Sequence, residues 1–242
     1  MSIASVTFKP IGIIHSCFRQ KFGIPRQPGL VNAARGKLEL LAPYNRREAL
    51  AGLEGFSHLW IHFIFHQTMD EGWRPTIRPP RLGGKKRMGV FATRSTHRPN
   101  PLGMSVVRLE GIIEREGRVL LEISGIDLLD QTPVVDIKPY LPYADIIADA
   151  RGGFAPEPGA GTPVQFTPAT EQFCAQYQHR TERELKPLIE QILQQDPRPA
   201  YLQENPSRSY GMYLWELNIR WRIEQGAFVV YLIETTEPTT TE

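Results

Sequence analysis

The sequence predicts a mainly β protein, in which an N-terminal β-barrel is followed by a small α+β domain. Short segments rich in β-branched and aromatic residues recur over the first 147 residues, with few helical patterns between them. Turn-forming pairs such as Glu116-Gly117 separate these segments. Residues 148–163 are rich in Gly, Pro and Ala, which is the composition of a linker. We therefore predict a β domain at 1–147, a linker at 148–163, an α+β domain at 164–236 and a disordered polar tail at 237–242.

The predicted strands of the first domain follow each other at short intervals. The aromatic and apolar segment from His58 to Phe65 is the best candidate for a buried strand. Asn45 stands three residues before Glu48, a capping-box spacing that predicts a short helix ending near Gly52. Many short strands with few helices favour an all-β barrel or sandwich. The strands are expected at 6–18, 37–41, 58–65, 88–93, 102–114, 119–126 and 134–140.

The second domain combines helical and strand patterns. Residues 168–195 contain two helical patterns, with a break predicted near Pro187. Residues 210–234 predict a β-hairpin that turns near Gly226.

Composition and missing motifs exclude several classes of protein. A net charge of +2 over 242 residues excludes a histone-like polycation. The two cysteines, Cys17 and Cys174, have no metal-ligand spacing, so reduced thiols and no metal site are the simplest interpretation. No signal-peptide pattern opens the chain, and the best apolar run is interrupted by His62, far short of the ~20 residues of a membrane span. Dinucleotide-binding, P-loop, zincin and nucleophile-elbow motifs are missing. We expect a cytoplasmic protein without membrane contact.

The segment 72–98 has an unusual charge balance. It holds eight basic side chains and no acidic one, together with Trp73 and several Pro and Gly residues. A basic loop with aromatic neighbours suits a phosphate backbone, whereas the alternative is an ordinary solvated loop. The basic residues are Arg74, Arg78, Arg81, Lys85, Lys86, Arg87, Arg94 and Arg98.

Three smaller polar clusters are candidates for a binding site. The stretch P-R-Q-P-G begins at Pro25, and its composition also fits a plain turn. His66-Gln67 ends the apolar segment that starts at His58. Polar side chains at the end of a strand line a cleft in some proteins and only cap the sheet in others. The acids Asp127 and Asp130 suit a ribose or a metal, although Asp also commonly starts a turn.

Taken together, these stretches resemble one known family. The blocks R-M-G-V-F-A-T-R-S-T-H-R-P-N-P-L-G-M-S and D-Q-T-P-V-V-D-I-K-P-Y-L-P-Y-A-D carry the resemblance, with P-R-Q-P-G-L, G-L-E-G-F-S-H-L-W, F-H-Q-T and D-P-R-P-A-Y. They are similar to the TsaA-like (TrmO, YaeB) family of S-adenosylmethionine-dependent tRNA N6-methyltransferases, over nearly the whole chain. Gln131 stands where the family usually has Gly, and Leu102 where Ile is common.

The resemblance implies a fold, a reaction and a set of contacts. The fold would be a β-barrel methyltransferase, neither Rossmann-like nor knotted, with its cofactor site at a homodimer interface. The reaction would add a methyl group to N6 of threonylcarbamoyladenosine at position 37 of tRNA. The cofactor contacts carried over are Pro25, Arg26, Gln27, His66, Gln67, Arg94, Asn100, Pro101, Leu102, Gly103, Asp127, Leu128, Leu129 and Asp130. The expected RNA contacts are Arg81, Lys85, Lys86, Arg87, Arg98, Lys138 and Tyr140.

The implied chemistry needs a proton acceptor and a partner for an anion. N6 of the modified base belongs to a urea, so it reacts better while it loses its proton. Asp136 is our first candidate for the catalytic base, and His66 is the second. Arg94 or Arg98 suits the threonyl carboxylate of the substrate.

Two other classes of protein stay open at this point. A non-catalytic RNA-binding β-barrel explains the basic segment equally well. A metal-dependent hydrolase would use Asp127, Asp130 and His66.

Overall fold

A closed six-stranded barrel forms the first part of the molecule, as predicted. The computed structural model describes residues 5–155, 161–198 and 208–236. The barrel strands are β1 (Gly12–Ser16), β2 (Arg35–Leu40), β3 (His58–Ile64), β6 (Leu102–Arg115), β7 (Arg118–Ser124) and β8 (Pro133–Pro139). Their order around the barrel is β1-β2-β7-β6-β3-β8, and all neighbours are antiparallel.

Strand β3 shows how the sequence pattern builds the barrel. Leu59, Ile61 and Phe63 point inward and are 0%, 0% and 6% exposed. The residues between them face outward, because successive side chains of a strand point to opposite sides. The outward face of β3 therefore carries His62 and Trp60, next to the outward residues of β6 and β8.

Several predicted elements of the barrel domain differ in the structure. The first strand is only β1, and residues 6–10 are exposed and irregular. The predicted helix at 45–52 is replaced by two 3-10 turns, Arg47–Leu50 and Leu53–Gly55, neither of which has a side-chain cap. The predicted strand at 88–93 is only β5 (Met88–Gly89), which pairs with β4 (Thr76–Ile77) and runs into the 3-10 turn Val90–Ala92.

The second domain is a four-stranded sheet with two helices. A four-residue helix, α1 (Pro142–Asp145), precedes residues 148–155, which form no helix or strand. The sheet has the order β10-β11-β12-β9, with β9 parallel to β12. The elements are β9 (Val164–Phe166), α2 (Pro168–Thr181), α3 (Leu185–Gln194), β10 (Tyr210–Leu214), β11 (Leu217–Glu224) and β12 (Ala227–Thr235).

Two predictions for this domain are wrong in detail. The helices separate at residues 182–184, where Glu182 has φ 60°, and Pro187 lies inside the first turn of α3, which tolerates proline. The predicted turn near Gly226 is confirmed between β11 and β12. The hairpin is nevertheless part of a three-stranded unit, because a second tight turn at Trp215-Glu216 separates β10 from β11. The predicted tail at 237–242 lies outside the described residues.

The two domains pack together through backbone and side-chain contacts. The Trp215 backbone N–H donates to the Cys17 carbonyl at 2.9 Å. Gln191 Oε1 accepts from the Ala33 backbone N–H at 3.0 Å. Buried side chains of both domains form one continuous apolar cluster. The second domain is therefore a fixed neighbour of the barrel.

Candidate cofactor and RNA site

Three predicted cofactor residues from distant parts of the chain meet on the barrel. Arg94 Nη1 donates to the side-chain oxygen of Gln27. Arg94 also lies close enough to Asp127 for its positive charge to favour the ionised carboxylate. The fold thus brings together the turn after Pro25, the basic segment and the turn after β7.

Asp127 is the most perturbed carboxyl group of this corner. Burial raises its pKa to about 6 from an ordinary value of 3.8, against the lowering effects of hydrogen bonds and of Arg94. Ser105 Oγ donates to Asp127 Oδ1 at 2.6 Å. A carboxylate that titrates near neutrality beside an arginine is typical of functional sites.

The other residues of the Asp127–Asp130 turn stabilise the barrel. Asp130 Oδ1 accepts the Ser16 backbone N–H at 2.9 Å, and the Leu128 carbonyl accepts Ser16 Oγ at 2.8 Å. Leu128 is 1% exposed. Leu129 lies half-buried between them. The two acids of this turn therefore have different surroundings, since Asp127 lies beside Arg94 and Asp130 accepts from the Ser16 backbone.

The motif that begins at Pro25 is divided between two surfaces. Pro25 is buried. Arg26 Nη2 donates to the Asp196 carbonyl of the second domain at 3.3 Å. Gln27 Oε1 accepts from Arg94 Nη1. In this structure, then, the Arg26 guanidinium joins the two domains.

His66 and Gln67 start the 3-10 turn His66–Glu71, directly after β3. Glu71, at its end, accepts His97 Nε2 at 2.9 Å and lies 3.4 Å from Arg74 Nη2. The hydrogen bond from His97 is the largest of the effects that hold the pKa of Glu71 below its usual value. Sequence reasoning missed Glu71, since no spacing links it to a histidine 26 residues away.

The segment Asn100–Gly103 lies against the same turn. The Pro101 carbonyl accepts the Phe65 backbone N–H at 2.8 Å, and the Asn100 carbonyl accepts that of Leu102 at 2.7 Å. Gly103 makes room for a core side chain, because a Cβ there would lie 2.3 Å from the Phe63 ring of the same chain.

The basic segment 72–98 presents most of its charge to solvent. Arg78, Lys85 and Lys86 are exposed and have no ion pair among the described residues. Arg81 and Arg87 are exposed as well. The β4–β5 ribbon and the turn at 83–84 present these side chains.

Arg98 has surroundings unlike those of the other basic residues. It is half-buried, and its Nη1 donates to the Thr93 carbonyl at 2.8 Å and to the Val90 carbonyl at 3.3 Å. At least one nitrogen of its guanidinium therefore closes the loop that carries Arg94.

The outward face of β3 and β8 holds both a predicted base and predicted RNA contacts. Lys138 Nζ contacts Asp136 Oδ2. The Tyr140 ring lies 5.9 Å from that of Trp60, centroid to centroid. His62 stands opposite Asp136 in the strand register, beside a bulge.

His62 is a residue that sequence reasoning passed over. Its Nε2 atom is buried without a hydrogen-bond partner in the described part of the chain. A buried polar atom of this kind calls for a partner, such as a ligand or a second chain. Its only sequence signal is a polar residue within an apolar strand.

In residues 5–155, 161–198 and 208–236, no three His, Cys, Asp or Glu side chains cluster as metal ligands. No helix in these ranges is long and apolar enough to span a bilayer. A cavity of about 370 Å³ between the two domains is lined by residues such as Arg35, Arg183 and Trp215, none of which was predicted for a site.

Comparisons with known proteins agree with this arrangement. The family model for the tRNA-methyltransferase O N-terminal domain matches residues 13–146, and the TrmO C-terminal domain matches 160–236. A tRNA (adenine(37)-N6)-methyltransferase of Escherichia coli (strain K12) is 50% identical over 234 residues, which are 96% of this chain and 99% of that protein.

Two further relatives come from Pseudomonas aeruginosa. A putative S-adenosylmethionine-dependent methyltransferase RcsF is 55% identical over 212 residues, 88% of this chain and 90% of that protein. A crystal structure of TrmO superimposes with a TM-score of 0.80 at 46% identity, covering 96% of this chain and 99% of the other. The chain belongs to the tRNA-methyltransferase O family.

Proposed function

We propose that the protein methylates N6 of threonylcarbamoyladenosine at position 37 of tRNA, with S-adenosylmethionine as the methyl donor, in the cytoplasm. The observation that carries the proposal is the corner formed by Gln27, Arg94 and Asp127. Membership of the family supports a methyltransferase, and the Escherichia coli relative acts on adenine 37.

The residues of the corner fit the polar groups of S-adenosylmethionine. The cofactor supplies a methyl group on a sulfonium, which leaves as a neutral thioether. It carries hydroxyl and amino donors, a carboxylate and a positive charge. The Asp127 carboxylate suits the donors, and Gln27 can donate through its amide nitrogen. Arg94 suits the carboxylate of the cofactor or that of the substrate. His66, Gln67 and the Asn100–Gly103 segment would form the adjoining wall.

Asp136 remains our first candidate for the base, with His66 second. Asp136 lies on the outward barrel face, half-buried, with Lys138 on one of its oxygens. A carboxylate takes a proton from a nitrogen only if it lies within hydrogen-bond reach in the complex. Lys138 can then stabilise negative charge that builds up on the urea carbonyl.

The threonyl carboxylate of the substrate needs a cation, and the contacts favour Arg94 over Arg98. Arg94 is exposed, whereas Arg98 Nη1 is already bound to two backbone carbonyls. The phosphates of the anticodon arm would contact four basic side chains, Arg81, Lys85, Lys86 and Arg87. The Tyr140 ring would stack on a neighbouring base.

We also propose that two copies pair through the outward face of β3, β6 and β8. Leu102 is 38% and Met104 49% exposed there. They lie next to His62, whose Nε2 atom is buried and has no hydrogen-bond partner among the described residues. Exposed apolar side chains beside a buried polar atom suit a face that a second copy covers.

Calorimetry with S-adenosylmethionine separates this function from the alternative, a non-catalytic RNA-binding barrel. We expect saturable heat for the wild-type protein and a loss of that heat for an Asp127→Asn variant that still binds tRNA. A wild-type protein that binds tRNA but gives no heat with the cofactor would favour the alternative.

A further inference from the structure

We propose that Phe91 is a stacking platform for one base of the tRNA anticodon loop, and that Arg98 is the positioning residue that supports it. The inference rests on the tRNA substrate of the proposed function. It adds an aromatic subsite next to the basic residues that attract the phosphates.

Phe91 is an exposed ring on an anchored turn. It lies in the middle of the 3-10 turn Val90–Ala92 and is 76% exposed. Val90, its neighbour, is 2% exposed, and its backbone N–H donates to the Pro75 carbonyl at 3.0 Å. The turn is therefore fixed on one side, while the ring contributes little to the core.

Arg98 stabilises this turn through hydrogen bonds to its backbone. Its Nη1 joins the carbonyls of Val90 and Thr93, which flank the ring in the chain. Its Cζ lies 5.9 Å from the centroid of the Phe91 ring. The guanidinium thus covers part of one face of the ring, and the exposure of the side chain leaves room for a flat ligand.

The charge of the surroundings identifies the occupant as a nucleic acid base. Segment 72–98 carries eight basic and no acidic side chains, so it attracts a phosphate backbone. Every base has a π-face that stacks on an aromatic ring. Arg94 lies three residues beyond Phe91 and contacts Gln27, so the stacked base would lie beside the cofactor corner.

RNA binding to an anticodon stem–loop, measured by fluorescence anisotropy, tests the platform without requiring methyl transfer. Phe91→Leu keeps an apolar side chain of similar size but removes the ring. We expect it to weaken binding about 5- to 150-fold, and Phe91→Trp to preserve binding. Phe8→Leu is the matched control, because Phe8 is also exposed (53%) but lies outside the basic segment.

An abasic scan of the loop identifies the stacked base. In the wild type, removing that base should weaken binding by the same factor as Phe91→Leu. In the Phe91→Leu variant, the same removal should cost nothing more, since the two changes delete one contact. Penalties that are equal in both proteins at every position would overturn the platform.

Arg98 is tested by the salt dependence of RNA binding. Arg98→Gln should abolish the same base-specific coupling and leave the slope of log K against log salt unchanged. A slope that falls by about one would instead mark Arg98 as a phosphate contact.

The outcomes separate this inference from the proposed function. If the Phe91→Leu variant binds the stem–loop as tightly as the wild type does, the stacking platform is disproved and the tRNA substrate is unaffected. If the wild-type protein does not bind the stem–loop, the tRNA substrate itself fails. The Phe91→Leu variant could instead keep its RNA affinity and show a lower molar mass in sedimentation. That result would overturn the inference, because it would place Phe91 in contact with a second copy.

Discussion

At the scale of single residues, Asp127 is where stability and function oppose each other. Its folded pKa of about 6 lies above its ordinary value of 3.8, so the folded protein binds this proton more tightly than the unfolded chain. Ionisation of Asp127 therefore lowers the free energy of unfolding as the pH rises from about 4 to about 6. Retaining an ionisable group there is consistent with a ligand that needs the charge.

Asp127→Asn should stabilise the protein above pH 6. Asn keeps the oxygen that accepts from Ser105 but does not titrate, so the gain at pH 7.5 should approach about 3 kcal/mol and vanish near pH 4. Urea unfolding at pH 4 and pH 7.5 measures it. The variant should also lose affinity for S-adenosylmethionine. Unchanged affinity with the same stability gain would leave Asp127 without a role in binding.

Asp136→Asn tests the proposed base. General-base catalysis contributes typically about 100- to 10,000-fold, so kcat should fall within that range while KM for tRNA stays near its wild-type value. A parallel His66→Gln variant is the comparison, and the residue whose replacement lowers kcat by this factor without raising KM is the base. If neither replacement does so, both assignments fail.

Sequence reasoning reached different depths at different residues. Gln27, Arg94 and Asp127 were grouped through resemblance, but their contact depends on three turns that only the barrel topology brings together. Glu71 and His62 were not predicted as site residues, because their environments are formed by residues that are distant in the sequence.

At the scale of elements, strands were predictable because alternation with period two is local. The 3-10 turns around the basic segment were not, since Pro and Gly fix backbone angles without a periodic pattern. The helix break at Glu182 was misplaced for a similar reason. Proline is the stronger sequence signal, but it is tolerated where it stands in the first turn of α3.

The β4–β5 ribbon and the turn after it should supply the phosphate contacts. Replacing Lys85, Lys86 and Arg87 with Ala should weaken tRNA binding at every salt concentration and reduce the salt slope by about three. Filter binding between about 50 and 200 mM salt measures the slope. Replacing Arg46 and Arg47, which are exposed elsewhere on the barrel domain, is the control. An unchanged slope would remove this segment from the interface.

At the scale of the whole molecule, the second domain packs against the barrel, whereas part of the outward face of β3, β6 and β8 stays exposed in the described part of the chain. The apolar cluster that crosses the domain boundary makes one body of the two domains. Leu102 and Met104 are the exposed apolar residues of that outward face. Dimerisation would cover them and could supply the missing partner of His62.

Met104→Glu should prevent this pairing. A charge in the centre of an apolar interface is buried without compensation, so the protein should sediment as a monomer and lose cofactor affinity. Tyr213→Glu, at an exposed residue of β10 in the second domain, is the control for an added surface charge. If the Met104→Glu variant still sediments as a dimer and binds the cofactor with wild-type affinity, the interface lies elsewhere.

The proposed reaction transfers a methyl group from S-adenosylmethionine to a threonylcarbamoylated adenosine. The most direct test incubates it with methyl-labelled S-adenosylmethionine and tRNA from cells with or without the threonylcarbamoyl modification, followed by nucleoside analysis. We expect label in N6-methyl-N6-threonylcarbamoyladenosine, and none with tRNA that lacks the modification. Equal labelling of both tRNAs, or label in another nucleoside, would contradict it.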